Sequence, residues 1–331
     1  MNMIREPEQL TAGVTMIGTS GFGSQTGGIG SIMGSTWSQK IIFDAQPDRV
    51  LSKHFLEFSD LMGNNDVTLV IPKIGDVNLM GGRTGSVEGT ARVMTKFDSA
   101  DNITLSLTSA DVKLGGCSVS FETASATRVT IIEMAHKQLV RQYLETIETD
   151  ANAILEGATI GTGNAGSVFG GSTVADNSAI TSNLAAGDVI DVDKIVDMRI
   201  ILMQKDFAKK PGDAVLLMHP VQFKQLLKSS QFTNAAEFGA PTVVRKGVIE
   251  EYVGVLIETS TLCSAKTQTV PVHYAYMIDP SAAAGIVWKE KARVKVVTED
   301  DERIHKVLLD AWYKMTLIND NAIVIGVFAN A

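Results

Sequence analysis

The sequence predicts an α+β fold. Apolar residues alternating with period 2 and apolar residues recurring at helical spacing occupy separate stretches of the chain, rather than alternating strictly one with the other. One helical stretch, residues 124–156, is long enough to act as a spine. The chain has 331 residues, 45% of them hydrophobic, which suffices for two domains or one large, elaborated one.

Composition narrows the function classes. Charged residues make up 20% and aromatics 6%, and the formal net charge is −8. High apolar content with a small net charge per residue is not a disordered composition. The acidic balance lacks the basic footprint that tight binding to a phosphate backbone requires, and no basic patch with interleaved aromatics occurs. The two cysteines, Cys117 and Cys263, are far apart, so neither a disulfide framework nor a zinc pattern is expected. The N-terminus, MNMIREPEQL, does not read as a signal peptide, and no apolar run approaches a membrane span of about 18 residues. Synthesis in the cytosol is expected.

The elements follow in order. Residues 1–40 read as an arm, because Gly18–Ser35 is too rich in glycine and serine to form a core alone. Pro47, then Leu51, Phe55, Phe58 and Met62 at helical spacing, predict a short amphipathic helix closed by Gly63. Val67, Leu69 and Ile71 alternate, and Pro72 marks a strand end or edge. Ile103, Leu105 and Leu107 alternate again, and Val119 and Phe121 continue past a kink expected at Gly115-Gly116. The polar, glycine-rich span between these strands is too long for a tight hairpin. It predicts a long two-stranded excursion that is marginal without a partner surface.

Residues 124–156 predict the strongest helix. Ile132, Leu139, Val140, Tyr143, Ile147, Ala151 and Ile154 form its apolar stripe, while Glu133, Lys137, Arg141, Glu145 and Glu148 take other faces. Gly157 is a plausible stop. Residues 157–187 read as a long loop or irregular hairpin, and residues 191–206 as a helix capped by Asp191. Residues 213–260 read as a buried strand, a His219-Pro220 corner, a short helix, a polar loop and a glycine-punctuated strand pair. Residues 273–278 alternate weakly as a strand. Residues 286–297 and 303–318 read as two strands joined by the acidic turn Thr298–Glu302, and Ala322–Phe328 as a closing strand.

No catalytic kit emerges. Gly161, Gly163 and Gly166 satisfy G-x-G-x-x-G, but a helix precedes them and a loop follows, the wrong context for a dinucleotide site. A nucleotide-dependent enzyme using this segment is the distant alternative. His54, His136, His219, His273 and His305 show no metal-type spacing; His219 reads as a structural corner. No P-loop and no G-x-S-x-G elbow occurs. Neither catalytic residues nor a cofactor are expected. Glu299, Asp300, Asp301 and Glu302 form a solvated turn that, in a symmetric assembly, becomes a candidate contact between subunits through a hard cation or Arg/Lys side chains.

The order of these parts resembles the tailed-virus major capsid proteins of the Hong Kong 97 fold. The resemblance rests on VTLVIPKIGDVN and NITLSLTSADVKLGGCSVSFET, on ASATRVTIIEMAHKQLVRQYLETIETDANAILEG, on LLMHPVQFKQLLKSS with GVIEEYVGVLIETS, and on residues 286–312 with TEDDE at their tip. It implies an N-terminal arm over 1–64 and an extended loop over 65–118. It further implies a peripheral domain over 119–187 and 272–320, and an axial domain over 188–271 and 321–331. The implied function is structural: a subunit that self-assembles into hexamers and pentamers of an icosahedral shell enclosing double-stranded DNA. The implied partners are other copies of the chain, DNA by weak non-specific contact, a portal, a separate scaffold protein and a possible decoration protein, with no membrane. The implied location is the virion. A cleaved scaffolding region is not expected, and no cross-link is expected at Lys73 or Lys96, which match no family motif. An encapsulin-like nanocompartment shares the fold and is the alternative; the glycine-rich arm favours the virus reading.

Overall fold

The structure is a computed structural model that describes residues 49–73, 101–126, 131–161, 164–171, 174–228, 251–263, 265–267 and 269–330. The expected arm over 1–40, the tip of the excursion (74–100) and the polar loop (229–250) lie outside these residues. In chain order the elements are β1 (Leu56–Phe58), β2 (Thr68–Lys73), β3 (Asp101–Ser106), β4 (Val112–Ser120), α1 (Phe121–Ala126), α2 (Ile131–Glu156) and β5 (Gly166–Phe169). There follow α3 (Val192–Gln204), β6 (Ala214–Met218), α4 (Pro220–Lys228), β7 (Glu251–Tyr252), β8 (Val255–Thr259), β9 (Ala265–Thr267), β10 (Pro271–Ile278), β11 (Ala284–Glu299), β12 (Ile304–Leu317) and β13 (Ile323–Ala329). The mixture is α+β, as the periodicities predict.

Several elements differ from the sequence expectation. The helix expected after Pro47 is instead a single 3-10 turn at Ser52–His54 followed by β1. Its backbone donors are claimed from afar. The Glu148 carboxylate accepts the N–H groups of Val50 (3.1 Å), Leu51 (2.7 Å) and Ser52 (3.0 Å), and the Ser52 hydroxyl at 2.5 Å. β1 then pairs in parallel with the start of β11, from Leu56↔Gly285 to Phe58↔Val287. Apolar spacing carries no trace of a carboxylate 97 residues away.

β4 runs unbroken through Gly115-Gly116, without the expected kink, and Phe121 opens a helix rather than extending the strand. The two glycines serve close packing: a Cβ on Gly116 would lie 3.0 Å from Leu308 Cδ2, and one on Gly115 3.4 Å from Leu139 Cδ2. Of the helix expected over 124–156, the structure describes α1 and α2, and residues 127–130 lie outside the described residues. The 26 residues of α2 span about 39 Å at about 1.5 Å per residue. Glu148, expected on a polar face of this helix, is fully buried. The stretch expected to be loop, 157–187, contains the buried strand β5, whose polar flanks conceal it in the sequence.

The chain divides into two compact units. The first comprises Met1–Lys53, Val112–Ala151 and Glu290–Trp312. In it β4 and β12 pair antiparallel from Ile304↔Ser120 to Trp312↔Val112, and β11 lies on the other side of β12. Leu139 of α2 packs on Val307 and Leu309 of the sheet, with Cys117, Ile132, Ala135, Tyr143 and Val294 around them.

The second unit comprises His54–Asp111, Asn152–Lys289 and Tyr313–Ala331. It is built on a seven-stranded mixed sheet in the order β5-β13-β10-β6-β8-β7, with β9 also on β10. β6 and β13 are buried at every residue, and β10 at all but its first. Runs of this kind belong to strands covered on both faces, so the weak alternation of 273–278 marks a central strand. One face is closed by α3, which contributes Val192, Ile195, Met198 and Leu202, and by Leu226 of α4. Asp191 caps α3, its carboxylate accepting Lys194 N–H at 2.9 Å. Each such buried aliphatic side chain contributes about 1.5–3 kcal/mol, so the stability of this unit resides in the sheet and its helices. The β2–β3 ribbon extends from the same unit, paired from Thr68↔Ser106 to Lys73↔Asp101.

Candidate assembly surfaces

The acidic turn lies at the end of the β11–β12 ribbon, where Arg303 N–H donates to Asp300 O at 3.2 Å and closes the chain reversal. Lys306, at the start of the return strand, sits between two of the four acids. Its Nζ is 2.5 Å from Glu299 and 3.4 Å from Glu302. The hydrogen bond from Lys306 holds the Glu299 carboxyl below the usual range, and the same bond pushes the Lys306 ammonium up. Asp300 and Asp301 are exposed, and no described residue pairs with their carboxylates. The structure therefore joins Glu299 and Glu302 through one cation and leaves Asp300 and Asp301 facing outward. Nothing in the sequence marks Lys306 for this role, because only the pairing of the two strands brings it to Glu299, seven residues earlier.

The root of the β2–β3 ribbon is held by two lysines. Lys289 Nζ donates to Asn64 O, and to Asp66 O at 2.8 Å, on the incoming side. Lys314 Nζ donates to Ser106 O at 2.8 Å and lies 3.7 Å from the Asp111 carboxylate on the outgoing side. Asp111 in turn accepts Thr108 N–H at 2.7 Å and the Thr108 hydroxyl at 2.9 Å. Backbone that would otherwise be a loose entry and exit is thus fixed. Along the ribbon and at its root, Val70 and Val67 are exposed. Lys73 ends β2 opposite Asp101, and Lys96 lies outside the described residues.

The remaining described sequence candidates make the following contacts. His219 caps α4: its Nδ1 accepts Val221 N–H at 3.2 Å, and Gln222 Oε1 accepts His219 N–H at 3.1 Å. This is a capping box with histidine in the cap position and proline at the first helical position. The other end of Gln222 donates to His273 O at 2.9 Å, and the His219 and His273 rings stack with centroids 3.8 Å apart. His54 lies 3.1 Å from Glu258, and His305 3.0 Å from Thr298 Oγ1. Among the described residues, no three His, Cys, Asp or Glu side chains are placed to hold a metal ion, and no helix is long and apolar enough to cross a membrane. Gly166 opens β5, not a helix, and a Cβ there would lie 2.6 Å from Ile201 Cγ2. Its role is close packing of α3 on β5; Gly163 lies outside the described residues. Neither Cys117 nor Cys263 is in a disulfide.

The described residues offer ribbons, exposed apolar side chains and an acidic tip. A family profile described as phage capsid protein matches residues 115–325, well over half of the chain. The chain belongs to the phage capsid protein family. Solved capsids agree in fold with this capsid protein. The Cyanophage Pam1 capsid matches with a TM-score of 0.65 at 14% identity, over 90% of this chain and 96% of that one. The capsid of Ralstonia phage GP4 matches with a TM-score of 0.67 at 12% identity, over 95% and 98%. The capsid of Cyanophage P-SCSP1u matches with a TM-score of 0.67 at 10% identity, over 94% and 97%. No curated protein matches the sequence. The fold is that of Hong Kong 97-like capsid proteins, and the capsid protein is a structural component of a virion that associates with copies of itself.

Proposed function

We propose that the chain forms hexamers and pentamers of an icosahedral shell that encloses double-stranded DNA, and that it performs no catalysis. The observation that carries this reading is the phage capsid family match across 115–325, which also favours a virus shell over a nanocompartment. In this reading residues 119–187 and 272–320 form the peripheral domain, 188–271 and 321–331 the axial domain, 65–118 an extended loop laid on a neighbouring subunit, and 1–64 an arm. Glu299, Asp300, Asp301 and Glu302 contact another subunit. A net charge of −8 suits a wall that must not grip packaged DNA, since each neutralised phosphate would add salt-dependent affinity. A portal, a separate scaffold protein and decoration proteins are the further partners of such a shell.

Electron microscopy of the expressed full-length chain, with and without the scaffold protein supplied, tests this. Closed particles of uniform diameter are expected. A chain that remains monomeric at high concentration under both conditions sinks the proposal.

A further inference from the structure

In the first unit, β11 carries a cation at every second position: Lys291, Arg293 and Lys295. Strand side chains alternate between faces, so these three share one face. Val294, between them, packs into the cluster around Leu139 of α2. The three side chains therefore leave the strand away from α2, and all three are exposed; Arg293 bends back along the strand to pair with Glu290 at 3.2 Å, an exposed ion pair that an incoming acid can replace. Lys306 and Leu308 of β12 lie on this same face: Lys306 reaches Glu299, in register with the cations, and Leu308 lies over Gly116 of β4. Leu114, two residues before Gly116, is 75% exposed. The sheet face is thus open along β11 and at Leu114.

A cationic strand face on a chain of net charge −8 suits an acidic partner. The turn at the end of the same ribbon has that chemistry. Lys306 already serves Glu299 and Glu302, whereas Asp300 and Asp301 face outward. The turn cannot reach the cations of its own chain. It lies five residues beyond Lys295 on a paired strand, about 16 Å away at about 3.3 Å per residue. We infer that the cationic face of β11 is the docking surface for the acidic turn of a second copy, Asp300 and Asp301 of one copy meeting Arg293 and Lys295 of the next. This rests on the shell-subunit reading and supplies the partner of the acidic turn. The two patches differ, so the contact is heterologous and repeats from copy to copy until a ring closes. Single exposed ion pairs are weak and screened by salt, but a ring multiplies them.

The test is charge reversal in the full-length chain, with particle yield measured by sedimentation and microscopy and folding by thermal melting. Arg293→Glu with Lys295→Glu, and separately Asp300→Lys with Asp301→Lys, each lower particle yield by about tenfold or more. All four substitutions together restore it. Reversals that leave yield normal, or a quadruple variant that is folded but not restored, overturn the contact while leaving the shell reading standing. A wild-type chain that makes no particles removes both. If a reversal prevents folding, Arg293→Gln with Lys295→Gln and Asp300→Asn with Asp301→Asn form a double-variant cycle. Non-additive losses support the contact, and additive ones overturn it. Normal particle yield with loss of enclosed DNA in the Arg293→Glu, Lys295→Glu variant would make nucleic acid the occupant and overturn the proposal.

Discussion

Glu148 has no exposed surface, yet it lies on a helix face whose neighbours in sequence are charged. Its carboxylate satisfies three consecutive backbone N–H groups and a hydroxyl, and so fixes where the segment at Val50–Ser52 joins the long helix. Glu148→Ala leaves those buried donors without an acceptor and is expected to cost about 3–5 kcal/mol. Denaturant unfolding should show a lower midpoint at unchanged slope. Glu148→Gln keeps one acceptor oxygen and should lose less. His219 gives a pH-dependent counterpart. Burial first, and the neighbouring His273 second, hold its imidazole below the ordinary value of 6.5. The neutral ring accepts Val221 N–H, a bond that protonation removes. The unfolded chain therefore takes up this proton at higher pH than the folded one. The stability it supplies is fully present above pH 6.5 and is lost as pH falls through the depressed folded value. Melting temperature should drop on acidification below that point. His219→Asn, which can still cap the helix, should flatten the dependence; an unchanged slope would assign it to other groups.

At the scale of elements, the hairpin between β7 and β8 holds a conformation that its sequence resists. Val253 and Gly254 have φ of 51° and 68°, the pattern of a two-residue type I′ turn. Glycine takes this readily, but a β-branched residue there is strained. Val253→Asn gives the Asn-Gly pair that such turns favour and should stabilise the second unit by about 1 kcal/mol, readable as a rise in melting temperature. If no rise follows, Val253 is not strained there. Other elements divide in the same way. α3 was legible because its apolar stripe and its Asp191 cap are both local in sequence. The 3-10 turn and β1 were not, because the partners that decide them, Glu148 and the start of β11, are distant in the chain.

At the scale of the whole molecule, the proposed shell is held by many modest contacts, none adequate alone. Such an assembly is cooperative. Light scattering against protein concentration should show a threshold below which no particles form, and the threshold should rise with salt as exposed ion pairs are screened. A yield that climbs smoothly with concentration, or is indifferent to salt, would contradict this view of the interfaces. The acidic turn as a hairpin tip was legible in the sequence, because acids between two apolar strands have few other places to go. Its partial neutralisation by Lys306 emerges only once the strands are paired. The sequence by itself determined the α+β class, the long helix, the capped helix after Asp191 and the ribbon with its acidic end. Those features are written in local periodicity, capping and composition. Only the tertiary structure decided the burial of Glu148, the strand that opens at Gly166 and the close packing at Gly116. Each of these depends on what lies across a sheet or a helix interface, and a one-dimensional pattern holds no record of that distance.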